Sequence, residues 1–194
     1  MKKLYITFII LLIISIGAGI YYFTDYRESK MSYPNDLILY THKGEDFSFD
    51  HLTPKVRLIE FMYTECPDIC PATTYLMAQL RDELEEEGVF GEKVEFLTIS
   101  IDPEKDTQEV LQQYATLHTI DKTDGWYLLS GTKPNIRELT NNFQFQFREA
   151  GTGDFVHRSA TYLLDQENRV VKVFGMGQND FDKAAVFKKI MAEI

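Results

Sequence analysis

"FMYTECPDICPATTYLMAQL", residues 61–80, holds both cysteines of the chain, Cys66 and Cys70, at the seam between two apolar patterns. Upstream, "VRLIEFMY" (56–63) is a largely apolar run of strand length, as expected for the centre of a sheet. Downstream, Pro71 suits the first turn of a helix. Leu76, Met77, Leu80 and Leu84 then follow at spacings of one, three and four, which makes one apolar face, and Gly88 ends it. The seam therefore reads strand, turn, helix, with Cys66 just ahead of the helix and Cys70 just inside it.

Away from the seam the alternation continues. "VEFLTISID" (94–102) and "WYLLS" (126–130) are further strands, and "FQFQF" (143–147) has the period of two of another. "DTQEVLQQYATLH" (106–118) opens on an acidic cap and carries Val110, Leu111 and Tyr114 in helical register; "TKPNIRELTNNF" is a helix with Pro134 near its start. "ATYLLD" and "VVKVFG" form a hairpin through "QENR", and "NDFDKAAVFKKIMAEI" closes the chain as an amphipathic helix. Before the seam, "LILYTHKGEDFSF" predicts a hairpin turning near Lys43-Gly44. This order predicts an α/β fold, a mixed sheet flanked by helices with an N-terminal hairpin. A cysteine pair between the first core strand and its helix is where a thioredoxin-like fold places its active site.

The length of 194 residues suits one domain with a real core. That domain is placed at 36–194, behind a polar linker, 25–35, and an N-terminal segment, 1–24. After "MKK", residues 4–23, "LYITFIILLIISIGAGIYYF", carry no charge over roughly the 20 residues that cross a bilayer. This predicts a single transmembrane helix. Lys2 and Lys3 ahead of it predict that the C-terminal domain faces the extracytoplasmic side, with Tyr21, Tyr22 and Phe23 at the outer interface. A cleaved signal peptide is the competing reading, with Gly17, Ala18 and Gly19 near a cleavage site. The net charge is −10, and residues 31–194 carry 16 basic and 28 acidic side chains. Such a body repels nucleic acid phosphates and anionic lipid, so no nucleic acid partner is expected.

Outside the cytoplasm a cysteine pair can oxidise. A helix N-terminus stabilises a thiolate through its free N–H groups and its dipole. Residues four apart on a helix bring their Cβ atoms to about 5–6 Å, compatible with a disulfide or with two sulfurs converging on one ion. The pair could therefore be a structural clip, a redox couple or part of a metal site. A structural disulfide here would close a very short loop and contribute comparatively little. Dithiol oxidoreductases usually place two residues between their cysteines, whereas Pro67, Asp68 and Ile69 make three here. A structural zinc site wants about four Cys or His ligands, and no second pair is present. Two thiolates and one imidazole suit copper, since soft sulfur favours Cu(I) and imidazole accepts either Cu(I) or Cu(II). Of the four histidines, His42 lies in the hairpin turn and His118 at a helix end, both read as solvent-exposed, and His51 sits in a loop. His157, in "GDFVHRSATYLLD", directly precedes a core strand, where a thioredoxin-like fold brings the chain beside the active-site helix.

"YTECPDICP", with "ISIDPEKDT", "LLSGT" and "HRSATYLLD", resembles the Sco (SenC) family of membrane-anchored copper proteins over roughly residues 37 to 192. The resemblance implies a thioredoxin-like fold and an N-terminal anchor. It implies copper held by two Cys and one His, matching Cys66, Cys70 and His157, and a role in building the dinuclear copper centre of cytochrome c oxidase. The implied partners are the copper-binding subunit of that oxidase and a thiol reductant or copper donor protein. The alternative is a thiol-disulfide reductase in which Cys66 attacks and Cys70 resolves, keeping the subunit's cysteines reduced. One residue departs from the pattern: family members usually have Asp immediately before the histidine, and Val156 stands there. Other motif residues have structural readings. Asp68 caps the helix, Asp102-Pro103 ends a strand, and Met62, Met77, Trp126, Phe143, Phe145 and Phe147 pack in the core.

Overall fold

The protein is described by a computed structural model, covering residues 2–22, 26, 30–34, 36–50, 52–151 and 154–194. Its elements run α1 (Lys2–Tyr21), β1 (Ile38–Thr41), β2 (Asp46–Ser48), β3 (Val56–Met62), α2 (Ile69–Glu86), β4 (Val94–Ser100), α3 (Gln108–Leu117), β5 (Trp126–Ser130), α4 (Lys133–Asn142), β6 (Phe147–Glu149), β7 (Phe155–His157), β8 (Thr161–Leu164), β9 (Val170–Phe174) and α5 (Lys183–Glu193). Seven strands form one sheet in the order β2-β1-β5-β4-β3-β8-β9, and β6 and β7 pair as a separate ribbon. The central strands β3, β4 and β5 are parallel; β1 and β8 join them antiparallel, so the sheet is mixed. This is the thioredoxin-like α/β arrangement the strand–helix alternation predicts.

Every residue of β3 and β4 is buried, which is why these segments read as continuous apolar runs rather than alternating ones. Two charges inside them are matched across the sheet. Arg57 of β3 donates through Nε to Glu95 Oε2 of β4 at 3.1 Å, and its other nitrogens reach Asn168 Oδ1 and the Thr53 carbonyl. A buried guanidinium is tolerated only with its donors filled in this way. The tight Phe90–Val94 corner packs against Gly125, which has φ +107° and a position where a Cβ would lie 2.7 Å from Gly91 Cα. Gly125→Ala should therefore cost about 2 kcal/mol or more, read as a lowered urea midpoint.

Three sequence expectations change here. The "FQFQF" stretch is not a strand throughout. Phe143 caps the C-terminus of α4, Gln144 takes φ +52°, and the Phe145 N–H donates to the Thr140 carbonyl. Phe143 and Phe145 are both buried, so a helix-ending turn reproduces the period of two; β6 begins only at Phe147. The cap of α3 is Thr107, whose side chain accepts from the Val110 N–H, not the acidic Asp106, which is buried elsewhere. His42 is 1% exposed rather than solvated: its Nε2 lies 2.7 Å from Asp121 Oδ1, and Nδ1 accepts from the Leu128 N–H.

At the N-terminus, α1 leaves apolar side chains from Tyr5 to Tyr21 exposed. The side chains of residues 1–4 lie outside the described set, and among the described residues no helix is long and apolar enough to cross a membrane. Much of the 25–35 linker, Phe23 and His51 also lie outside the described residues.

Candidate metal centre

The loop between β3 and α2 carries the thiols. Asp106, at the start of the α3 segment, pins its first residues: Thr64 Oγ1 donates to Asp106 Oδ1 at 2.5 Å, and Ser100 Oγ to Oδ2 at 2.5 Å. Burial raises the Asp106 carboxyl above its ordinary range against these hydrogen bonds. The Cys66 N–H donates back to the Tyr63 carbonyl, which turns the chain toward the helix. Asp68 is the N-terminal boundary of α2, as expected, but its side chain makes no cap hydrogen bond. The Cys66 sulfur takes that place, accepting from the Cys70 N–H at 3.4 Å. A sulfur at a helix N-terminus sits where negative charge is favoured.

Both cysteines are free thiols. Cys70 is fully buried, whereas Cys66 retains 8% exposure. The proton-sharing between them has a clear direction. A hydrogen bond from Cys70, helped by His157 and by backbone N–H groups, holds the Cys66 thiol well below its ordinary range despite burial. The same hydrogen bond, then burial and the nearby Glu60, push Cys70 up. The hydrogen bond between them therefore favours the charged form at Cys66 and the protonated form at Cys70.

His157 ends β7, cross-strand from Phe147 of β6. Its ring stacks on Phe145 (centroids 5.7 Å, 27°) and meets the edge of Tyr63 (6.1 Å, 89°). Its Nδ1 lies 3.0 Å from the Arg158 carbonyl. A carbonyl only accepts, so this contact places a proton on Nδ1 and leaves Nε2 as the nitrogen available to the Cys66 sulfur or to a metal ion. Burial lowers the imidazole pKa, but the Cys66 thiolate and the Arg158 carbonyl more than offset it, and the net shift is upward. Strand alternation turns residue 156 away from the ring: Val156 is 53% exposed. The orienting partner that the family pattern would assign to an aspartate is here the backbone.

The candidate ligand atoms of Cys66, Cys70 and His157 all lie within 4.8 Å of one another, the one such cluster among the described residues. Two soft sulfurs and one imidazole nitrogen fit a copper ion better than a hard cation. His42 is committed to Asp121, and His118 packs against Tyr114 with ring centroids 4.2 Å apart, its pKa lowered by burial; neither joins the cluster. Met62 and Met77 are fully buried core residues.

Three contributors escaped the sequence reading. Tyr63 and Phe145 wall the imidazole, yet both read simply as apolar strand. Glu60 sits inside β3 with no exposure, one oxygen taking a 3.3 Å hydrogen bond from Thr98 Oγ1 and Oε1 finding no partner. Burial, partly offset by Thr98, pushes its pKa up to about 8. A lone Glu within "VRLIEFMY" was the available signal.

Comparison with known proteins gives a consistent result. The family model described as SCO1/SenC matches residues 28–192. The chain is 33% identical over 155 residues to a SCO2-like protein of Rickettsia felis, covering 76% of this chain and 71% of that protein. It is 28% identical over 139 residues to the SCO1 protein homolog of Bacillus subtilis, covering 70% of each. Similar solved structures include a SCO1/SenC family lipoprotein from Bacillus anthracis, with TM-score 0.74, 27% identity, and 84% and 95% of the two chains covered. Arabidopsis thaliana ScoI with copper bound has TM-score 0.69 and 25% identity, over 84% and 99%. With its cysteines at the head of α2, its histidine at the end of β7 and a family match across nearly the whole domain, the chain belongs to the SCO1/SenC family.

Proposed function

We propose that this protein is a copper-binding metallochaperone that holds one copper ion through Cys66, Cys70 and His157 and passes it to the copper-binding subunit of cytochrome c oxidase for its dinuclear centre. The observation that carries the reading is the convergence of two sulfurs and one imidazole within 4.8 Å. Relatives described with copper bound support it, among them Arabidopsis ScoI. Copper is the cargo, and the chain's own part is to bind, orient and release it. The thiolate at Cys66 is ready to take a cation, and Cys70 must lose its proton as the ion enters. Holding Nδ1 on the Arg158 carbonyl leaves Nε2 to bind the ion, and any proton it shares with the Cys66 sulfur departs as the ion enters.

The exposed apolar side chains of α1 and the charge-free run 4–23 support a single-pass membrane anchor, because an apolar surface of that extent needs covering. With Lys2 and Lys3 on the cytoplasmic side, the domain stands on the extracytoplasmic face.

The asymmetry of the thiols favours a second reading, thiol-disulfide reduction. The Cys66 thiolate attacks a partner disulfide, forming a mixed disulfide and releasing one partner thiolate. Cys70 gives up its proton and attacks the Cys66 sulfur, releasing the second partner thiolate. Two electrons pass to the partner and Cys66–Cys70 is left oxidised, to be restored by an external dithiol.

The test is an anaerobic titration of the reduced full chain in detergent with Cu(I) and Cu(II), repeated on His157→Ala. One tightly held copper is expected, with sulfur-to-copper charge-transfer bands. Loss of a direct ligand should weaken Cu(II) by more than the roughly 10–100-fold that outer partners cost. Equal affinity in wild type and variant would remove His157 from the site; rapid Cys66–Cys70 oxidation with unstable copper would move the reading to the reductase.

A further inference from the structure

Beside the metal cluster, a groove of about 720 Å³ runs along α4 and the β6–β7 ribbon, with His157 in its wall. Arg137, Arg148 and Arg158 line it, and no carboxylate does among the described residues. That is a sharp local reversal in a chain with 30 acidic and 20 basic residues. The arginines themselves divide cleanly. Arg57, Arg81 and Arg169 are ion-paired to Glu95, Asp82 and Asp165. The other three described arginines are the ones lining this groove, and no carboxylate pairs with them within the described chain. All three are exposed, and the Arg137 guanidinium is held 4.2 Å above the Phe147 ring, a fixed rather than a wandering charge.

We propose that this groove is the docking surface for an acidic polypeptide segment of the protein that exchanges copper with Cys66, Cys70 and His157. The proposal deepens the metallochaperone reading and rests on it for the partner's identity. Transfer of an ion requires the partner's ligands to come beside the donor's, and the groove shares His157 with the cluster, so a segment lying in it is already at the metal. A carboxylate-bearing segment meets three guanidinium groups here and repulsion over most of the remaining surface. The charge pattern therefore selects one orientation as well as attracting the partner. Paired guanidinium–carboxylate contacts also supply the geometric specificity that diffuse charge does not.

The test uses the full chain in detergent, without copper, and a fluorescein-labelled peptide of alternating glutamate and serine, with a glutamine counterpart as control. Fluorescence anisotropy should show the glutamate peptide binding at low ionic strength, weakening steeply with salt, and the glutamine peptide failing to bind. Arg148→Glu should reduce binding by about tenfold or more. Arg137→Gln/Arg148→Gln provides a milder variant should the reversal disturb the ribbon. Neither Arg148 nor Arg137 touches the cluster, so both variants should keep wild-type copper stoichiometry. Absence of glutamate-peptide binding, binding indifferent to Arg148, or binding of phosphatidylglycerol vesicles in place of the peptide would overturn the proposal. Peptide binding in a chain that fails to hold copper would leave the groove standing and remove the metallochaperone reading. Copper binding without peptide binding would do the reverse.

Discussion

Serine in place of Cys70 will leave the chain folded and its copper affinity reduced by more than about 100-fold. The bound is set by comparison: removing an outer partner of a ligand costs roughly 10–100-fold, and in the proposed site Cys70 supplies a donor atom itself. Its sulfur is fully buried within the cluster, so no side chain from outside can replace it. A serine hydroxyl is a hard, protonated donor, poorly matched to Cu(I). The substitution is nearly isosteric, so thermal unfolding of the apo-chain should move little. Competition with a Cu(I) chelator measures the affinity. A loss smaller than tenfold would mean that Cys66 and His157 hold the ion by themselves. The companion change, Cys66→Ser, removes the thiolate that raises the His157 pKa, so the imidazole should titrate at lower pH than in wild type, visible by proton NMR.

The second large effect concerns Glu60 and pH. Its folded pKa of about 8 stands above the ordinary 4.5, because the carboxylate would be charged in a buried site with only Thr98 to serve it. Between those two values the folded chain holds a proton that the unfolded chain has lost. Stability from this group is therefore complete below about pH 4.5 and falls as pH rises toward 8. At about 1.4 kcal/mol per unit, the loss is on the order of 4 kcal/mol. Cys66 contributes in the opposite sense, its lowered pKa giving stability that is lost toward acid, so the comparison must be between variants rather than within one curve. Glu60→Gln keeps the shape and removes the titration. Urea unfolding of the reduced protein at pH 5 and pH 8 should show wild type losing about 4 kcal/mol more than the variant across that interval. Parallel pH profiles would show that Glu60 finds solvent or a partner that relieves the buried charge.

Much of the fold was legible in the sequence because its signals are local. The seam at residues 56–80 resolves into β3, the cysteine loop and α2 from an apolar run, a proline and a helical stripe. Where the reading failed, two structures share one local pattern. Phe143, Gln144 and Phe145 alternate in burial as a strand would, but a left-handed residue at Gln144 does this by ending a helix. Asp106 and Thr107 are both good caps, and only the pull of Thr64 and Ser100 on Asp106 leaves the task to Thr107. His42 sits in a turn, where exposure is the ordinary outcome, and is buried only because Asp121, 79 residues away, comes to meet it.

The sequence by itself determined which thiols could act, that a helix N-terminus would stand over them, and that one histidine entering a core strand was the leading candidate to join them. Only the tertiary structure decided that it does. It also decided that Nδ1 rests on the Arg158 carbonyl and that three arginines with no carboxylate partner among the described residues gather beside the cluster. The reason is range. A helix start or an apolar face is set by neighbours a few residues apart, whereas Cys66 meets His157 because β8 pairs antiparallel with β3 and thereby returns the β6–β7 ribbon to the mouth of α2.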